Sequence, residues 1–248
     1  MKVSDVFEFL NSLFPTDLAE GFDNVGLLVG DKNATVTGAL ICLDCTETAV
    51  NEAIEKKANL IITHHPIIFS PLKNVCENSL VFKLISNGIS VISMHTNLDV
   101  ASNGVNDCLC KALGFLDAVS YTCADGYTIK LANIDECSAE KLASTVKEKL
   151  GYPIRYTDAG KKIKTVAVCS GSGSSFLKDV INSSADAFIT ADIKHNVFYD
   201  AEAIGLTLID GGHYATENVV VEPLAEILKT QFKDLSVYTC HYTPIKFM

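Results

Sequence analysis

The chain of 248 residues is long enough for one large domain or two small ones with hydrophobic cores. A hydrophobic content of 48% with 20% charged residues is that of a folded globular protein and argues against a disordered chain. The formal net charge of −10 argues against a general binder of nucleic acid or anionic membrane, because such a protein needs a basic surface.

The nine cysteines lie in or beside apolar runs, and the chain is too long to need a disulfide framework. We therefore expect free thiols and a reducing, cytoplasmic location. Cys42 and Cys45 form a C-x-x-C pair that no second pair or nearby histidine completes as a zinc site. Buried thiols at a strand end are predicted there, with redox chemistry as the alternative.

Residues 1–15 have the spacing of an amphipathic helix and not that of a signal peptide. Short β-branched runs then alternate with helical patterns, which is typical of an α/β fold. The predicted strands are 38–44, 58–65, 88–96, 164–171, 185–192 and 206–213. The other predicted helices are 47–57, 78–87, 104–114, 138–150 and 217–232. No apolar run is long enough to cross a membrane.

The pattern of residue types along the sequence changes around residues 121–163, where a second α/β lobe is predicted to begin. The expected division is a first lobe over 1–120, a second lobe over 121–216, and a C-terminal segment, about 217–248, that returns to the first lobe. The predicted fold is thus α/β, with two lobes of mixed sheet flanked by helices. Near-continuous apolar strands indicate sheets that are covered on both faces.

Histidines and carboxylates gather where three of the predicted strands end. In open α/β sheets the carboxyl ends of the strands are where ligands bind, so these side chains are candidates for one shared site. Four of the six histidines lie at such positions. The candidate metal ligands are His64, His65, His95, Asp99, His213 and Glu217.

The spacing within this set favours metal binding. His213 and Glu217 are four residues apart, so a helix that begins near Tyr214 places both near one face. His95 and Asp99 have the same separation in a more loop-like stretch. Imidazole with carboxylate is the ligand mixture of divalent zinc, iron, manganese or nickel.

The number of candidate ligands predicts two metal ions. Four histidines and two carboxylates exceed what one tetrahedral ion needs, whereas two bridged ions would use them all. Two divalent cations, two carboxylates and a bridging hydroxide leave a net charge near +1. Such a site, expected at the strand ends between the lobes, favours an anionic phosphate or carboxylate and lowers the pKa of a bound water.

The glycine-rich stretch 169–175 follows a predicted strand and precedes a helix. Exposed amides in such a turn can hold a phosphate, so Gly171 and Gly173 are candidate anion-binding residues. The stretch does not match the known phosphate-loop or dinucleotide patterns, and a plain strand-to-helix turn is the alternative.

Two further loops carry polar residues. Residues 190–195 place Asp192, Lys194 and His195 after a strand, which indicates either an active-site role or a solvated helix start; Lys194 is also a candidate anion-binding residue. Residues 22–31 combine an Asp-Asn pair with two glycines, which favours a hairpin-like turn or, alternatively, a loop that touches the site.

Five motifs together resemble the Nif-three-like family, also labelled GTP cyclohydrolase I type 2, whose members are dinuclear-metal hexameric proteins. The motifs are FDNVGLLVG, THHPIIF, HTNLD, GSGSS and DGGHYATE, in the order and approximate spacing of that family. The resemblance covers essentially the whole chain. The longer members carry an inserted domain, so this chain resembles the short bacterial form.

The resemblance implies a two-lobed α/β fold, a ring-shaped homohexamer and two metals per subunit facing the interior. It carries the ligand role to the same six residues, with Glu217 as the bridge and a metal-bridging water expected near it. Two positions depart from the family: Phe22 stands where Trp is usual, and TAD with Asn196 stands where TGD with a histidine is usual. His195 lies one position before the place, here Asn196, where the family usually has this histidine.

Two functions follow as hypotheses. The first is a metal-dependent hydrolase in which two ions activate a bridging water against a phosphorylated or nucleotide-like substrate, with GTP cyclohydrolase as the family label. The second is a metal-storage, metal-delivery or scaffold protein whose ring assembly is the functional object. No side chain is assigned as catalytic, because the same ligands satisfy both hypotheses.

Overall fold

A computed structural model describes all 248 residues. The chain has a mixed α/β architecture with two mixed sheets flanked by helices, which confirms the predicted fold class. Contacts divide it into two compact units, one of residues 1–102 with 220–245 and the other of residues 103–219 with 246–248. No helix has the length and apolar character needed to span a bilayer.

The first unit contains a five-stranded sheet. Its strands are β1 (Gly26–Val29), β2 (Ala39–Cys42), β3 (Leu60–Thr63), β4 (Ser90–Ser93) and β11 (Val237–Cys240). They are ordered β1-β4-β3-β2-β11, with β1 antiparallel to β4 and the other pairs parallel. The helices are α1 (Val3–Leu13), α2 (Glu47–Lys56), α3 (Leu80–Ser86), α4 (Thr96–Val100) and α10 (Val221–Gln231).

Local sequence accounts for the central strands and the helices beside them. Every residue of β2, β3 and β4 is buried, as expected for parallel strands covered on both faces. Thr46 and Ser79 cap α2 and α3 by accepting hydrogen bonds from backbone amides three residues later. Ala49 and Val50 of α2 pack in the same core as the strands.

The second unit contains a six-stranded sheet. Its strands are β5 (Val119–Thr122), β6 (Thr128–Cys137), β7 (Arg155–Tyr156), β8 (Ile163–Val168), β9 (Ala187–Thr190) and β10 (Thr207–Asp210). They are ordered β5-β6-β8-β9-β10-β7, and β8, β9 and β10 are parallel. The helices are α5 (Val105–Leu113), α6 (Ala139–Leu150), α7 (Leu177–Asn182), α8 (His195–Ala203) and α9 (His213–Glu217).

Helix α5 belongs to the second unit, although the change in sequence pattern lies after this helix, near residue 120. Leu109 and Leu113 of α5 are buried in one core with Val146 of α6 and Val166 of β8. This apolar face ties residues 103–120 to the second sheet. Strand β11 pairs with β2, so the C-terminal part of the chain adds a strand to the first sheet.

Candidate functional site

Three of the candidate histidines lie together at the carboxyl ends of two parallel strands in the first unit. His64 and His65 follow β3 directly, and His95 lies two residues after β4, which pairs with β3. The ring centroids of His64 lie 4.9 Å from His65 and 5.1 Å from His95. One nitrogen from each ring lies within 4.8 Å of the others, a spacing that fits one metal ion among them.

The backbone fixes the orientation of the His64 ring. The Nδ1 atom of His64 lies 2.9 Å from the carbonyl oxygen of Met94, and the side chain is buried. A carbonyl oxygen can only accept, so Nδ1 must carry the hydrogen. The lone pair of a neutral His64 ring is therefore on Nε2, the nitrogen that could coordinate a metal.

Carboxylates orient the other two rings in the same way. The Nδ1 atom of His65 lies 2.8 Å from the Asp44 carboxylate, and Nδ1 of His95 lies 2.8 Å from the Asp23 carboxylate. Histidines that bind metals usually donate their second ring nitrogen to such an oxygen, which fixes the tautomer and increases ligand basicity. All three imidazoles thus have the hydrogen bond from Nδ1 to a protein oxygen that is typical of metal-binding histidines.

Asp23 is a site residue to which the sequence assigned no role. Its side chain has 0% exposure, and Oδ2 accepts hydrogen bonds from the amide and hydroxyl of Thr96 at 3.0 and 2.6 Å. Burial alone would raise the pKa of Asp23, but the hydrogen bonds from His95 and Thr96 outweigh burial and hold that pKa well below its usual range. Of the two alternatives for residues 22–31, a hairpin-like turn and a loop that touches the site, the structure shows the second: Asp23 contacts His95, and the segment leads into β1.

Asp99 lies on α4, one turn after His95. Its backbone amide donates to the carbonyl of His95 at 3.0 Å, and the residue is buried. An Asp99 carboxylate oxygen lies 3.6 Å from Nε2 of His64. The stretch read as loop-like is therefore a short helix, which directs this carboxylate toward the histidine cluster.

The second unit contains the other predicted pair. His213 and Glu217 lie one turn apart on α9, with Nε2 of His213 2.9 Å from the Glu217 carboxylate. Nδ1 of His213 lies 2.7 Å from Asp192, a residue in the left-handed region at φ 53°. Burial alone would lower the pKa of His213, but Glu217 and then Asp192 outweigh burial and raise it to about 9.

The glycine-rich stretch packs directly against Glu217. Gly171 has a φ of +57°, and a Cβ there would collide with the Glu217 carboxylate, so only glycine fits. The amide of Gly171 donates to the Thr216 hydroxyl at 3.1 Å, and that of Gly173 donates to the Thr190 hydroxyl at 2.9 Å. These amides serve protein acceptors, while anion binding by the two glycines stays a prediction.

Lys194 and His195 mark the start of α8 and are exposed. His195 lines an open cleft of about 360 Å³ together with Arg155 and Phe198. The Arg155 guanidinium lies over the Phe198 ring, 5.2 Å from its centroid, and binds the Asp210 carboxylate and the Ile193 carbonyl. Lys194 caps the helix through its backbone conformation alone, and its anion-binding role stays a prediction.

The donor chemistry fits a metal. Buried and half-buried histidine and carboxylate groups suit the divalent zinc, iron, manganese or nickel ions expected from the sequence, and the Nδ1 hydrogen bonds of His64, His65 and His95 make Nε2 their coordinating nitrogen. The first unit therefore contains a group of three histidines that could bind a metal ion, and the second contains a histidine and a carboxylate with the same ligand chemistry.

Comparisons with known proteins match the chain to relatives over nearly its whole length. The profile of a family described as Duf34/NIF3 (NGG1p interacting factor 3) matches residues 1–245. A Clostridium acetobutylicum protein named GTP cyclohydrolase 1 type 2 homolog is 35% identical, over 96% of this chain and 94% of that protein. A Campylobacter jejuni protein of the same name is 36% identical, over 92% of each chain.

Solved structures agree with this placement. The crystal structure of Staphylococcus aureus protein SA1388 superposes with a TM-score of 0.91 at 32% identity, covering 100% of this chain and 99% of that one. Reduced HcgD from Methanocaldococcus jannaschii superposes with a TM-score of 0.84 at 27% identity, covering 98% of each chain. The match of the profile across residues 1–245, together with these relatives, shows that the chain belongs to the Duf34/NIF3 family.

Proposed function

We propose that the chain is a metal-dependent hydrolase that binds two divalent ions and acts on a phosphorylated or nucleotide-like substrate. The observation that carries the proposal is the cluster of His64, His65 and His95, in which every Nδ1 atom is bonded to a protein oxygen. One such hydrogen bond would satisfy a histidine that is merely buried, but it would not require three histidine rings to lie together. Three rings held with their ligand atoms within 4.8 Å of one another are the arrangement expected of a metal site.

The proposed ligand set combines two groups of residues. The first unit supplies three histidines and a carboxylate, and the second supplies one histidine and the carboxylate proposed as the bridge. The set is His64, His65, His95, Asp99, His213 and Glu217. Its size supports two ions, because one tetrahedral ion needs only four ligands.

The residues of the chain have distinct roles in this proposal. Asp23 and Asp44 hold the rings of His95 and His65, so that little reorganisation is needed when a ligand binds. Gly171 allows the loop backbone to approach the Glu217 carboxylate more closely than any residue with a Cβ could. The bound ions would polarise the electrophilic atom of the substrate and lower the pKa of a water molecule.

The name of the curated relatives suggests a first substrate to test. Those proteins are called GTP cyclohydrolase 1 type 2 homologs, and we extend to this chain the proposal of a nucleotide-like substrate. The net charge near +1 that is expected of the metal centre favours an anionic ligand of this kind on an otherwise acidic protein.

We also propose that the chain assembles as a homohexamer, as the family resemblance implies. Native mass spectrometry would then give a particle of six 26.8 kDa chains. A monomer across the working concentration range would contradict this assembly.

Metal analysis of purified protein tests the metal centre. We expect about two ions per chain after loading with manganese, zinc or iron. Glu217→Ala should lose at least one ion, while Glu226→Ala, which removes an exposed carboxylate of α10, should keep both. Retention of both ions by Glu217→Ala would refute the ligand assignment.

A substrate screen then tests hydrolysis. Phosphate esters, cyclic nucleotides and GTP are offered to the loaded protein, with His65→Ala as the control. Turnover well above this control supports a hydrolase. Two bound ions without turnover would instead favour metal storage, metal delivery or a scaffold.

A further inference from the structure

Two phenylalanine side chains lie exposed and close together in the first unit. Phe22 is 66% exposed and Phe69 is 52% exposed. Their ring centroids lie 6.3 Å apart with an interplanar angle of 51°. Because each ring exposes a large apolar area to water, a pair of this kind marks a surface that gains free energy when something covers it.

The backbone on both sides of this aromatic pair is anchored. Phe22 lies at the tip of a turn that is closed by the amide of Asp23 donating to the carbonyl of Glu20 at 2.9 Å. The side-chain amide of Asn24 donates to the carbonyl of Ile68, and the Ile68 side chain packs against the hydrophobic core. The two rings are therefore presented from fixed segments.

The aromatic pair adjoins the histidine cluster. The Phe69 ring lies 6.4 Å from the ring of His95 and nearly perpendicular to it, at 81°. On the other side, Asp23, the neighbour of Phe22, holds Nδ1 of His95. A flat group that covered either phenylalanine would thus lie beside a proposed metal ligand.

We propose that Phe22 and Phe69 form a stacking site for the planar heterocyclic ring of the substrate, a purine base or a ring of similar size. Aromatic side chains bind bases through their faces, and this mode tolerates different bases because every base has a π-face. The inference rests on the proposed function and sharpens it, since it requires a ligand with both a flat ring and a group for the metal centre. Ribose phosphates and simple phosphate esters would lack the ring.

The absence of tryptophan from the chain allows a direct test. Phe22→Trp introduces a single tryptophan at the site, whose fluorescence can be excited selectively over that of the tyrosines, and Phe82→Trp introduces one at a phenylalanine of α3 that is 40% exposed. Guanosine 5′-monophosphate and adenosine 5′-monophosphate should both quench the fluorescence of Phe22→Trp saturably. Ribose 5-phosphate should not, and Phe82→Trp should show no saturable quenching with any of the three.

Calorimetry without a fluorophore measures the contribution of the second ring. In the metal-loaded protein, Phe69→Ala should bind guanosine 5′-monophosphate roughly tenfold or more weakly than the unmodified chain. Ribose 5-phosphate should bind both proteins alike. Metal content should be unchanged in Phe69→Ala and Phe22→Trp, which shows that any loss of binding is not loss of the ions.

Equal affinity of Phe69→Ala and the unmodified chain for both nucleotides would overturn the proposal, as would equal quenching of the two tryptophan variants. A change in particle mass in Phe69→Ala with unaltered nucleotide binding would instead identify the pair as a contact between copies of the chain, which also overturns it. If the protein binds no metal, the proposed function fails separately. In that case, quenching of the Phe22→Trp fluorescence by nucleotides in the metal-free protein still tests whether the two rings form a stacking site.

Discussion

The Asp23 carboxylate holds Nδ1 of His95 at 2.8 Å, although 72 residues separate them in sequence. The same carboxylate accepts two hydrogen bonds from Thr96, so its position is fixed independently of the histidine. Asp23 therefore determines which nitrogen of His95 carries the hydrogen and where Nε2 lies. A residue that is not itself a proposed ligand thus orients one.

Asp23→Asn should weaken metal binding about 10- to 100-fold, the range typical for loss of a carboxylate that orients a metal-binding histidine. The asparagine keeps the size of the side chain but loses its charge and offers an amide group in place of one acceptor oxygen. Competition with a chromogenic chelator measures the affinity. Asp17→Asn, at an exposed aspartate in the same segment, should bind metal normally. Unchanged affinity in Asp23→Asn would show that Asp23 has only a structural role.

Gly171→Ala should destabilise the protein by about 2–4 kcal/mol, because a side chain there combines left-handed backbone strain with a collision against Glu217. Gly160→Ala is the matched control, since Gly160 has a φ of +69° but open space around the position of a Cβ. It should cost about 1 kcal/mol. Urea unfolding of the metal-free proteins gives both values, and equal costs would mean that the collision is relieved without consequence.

The protonation of His213 should depend on its two carboxylate partners in protein stripped of metal by a chelator. The pKa of His213 is raised to about 9, so the imidazolium is the form present at neutral pH. Because the folded pKa lies above the unfolded value of about 6.5, this group stabilises the fold fully below pH 6.5. The stabilisation is lost as the pH rises through about 9.

Ring-nitrogen NMR of His213 measures this titration, and Asp192→Asn should lower its midpoint because one of the two carboxylates is removed. A metal ion must displace the same proton to bind His213, so metal affinity should increase with pH between about 6.5 and 9. A midpoint at or below about 6.5 in the metal-free protein would contradict the arrangement of His213 between Glu217 and Asp192.

The cysteines should differ sharply in their reactivity with iodoacetamide. Cys76 is exposed, whereas Cys42 is buried, and burial raises the pKa of Cys42 well above its usual value. Burial also raises the pKa of Cys45 and Cys110 to about 12, which keeps these thiols protonated and unreactive at neutral pH. Peptide mass spectrometry at pH 8 should find Cys76 modified first. Cys76→Ser should remove this fast reaction, and rapid labelling of Cys45 would contradict its assigned environment.

The fold class followed from the sequence because its signals are local. A run such as Leu60–Thr63 is fully apolar up to its last residue, and this pattern is typical of a buried parallel strand wherever it occurs. The end of the strand also shows which residues lie at the ligand-binding edge of the sheet, so His64 and His65 were recognisable as candidates before any contact was known. The sequence indicated the limits of the second unit less clearly, because α5 packs against strands that lie far along the chain.

The interpretation of the adjacent histidines changes with the structure. Neighbouring residues of an extended strand point to opposite faces, which would separate the rings of two adjacent histidines. In the structure β3 ends at Thr63, before the two histidines, and their rings lie 4.9 Å apart at 42°. Their Nδ1 atoms diverge toward a backbone carbonyl and the Asp44 carboxylate, which are distant in sequence.

By itself, the sequence determined the alternation of strands and helices, the four histidines at strand ends and the helical spacing of His213 and Glu217. These features depend on periodicity within a few residues. Only the tertiary structure decided that Asp23 holds His95, that Gly171 packs against Glu217 and that two exposed phenylalanines adjoin the histidine cluster. The physical reason is that these partners lie on segments brought together by strand order and loop closure, which no local pattern encodes.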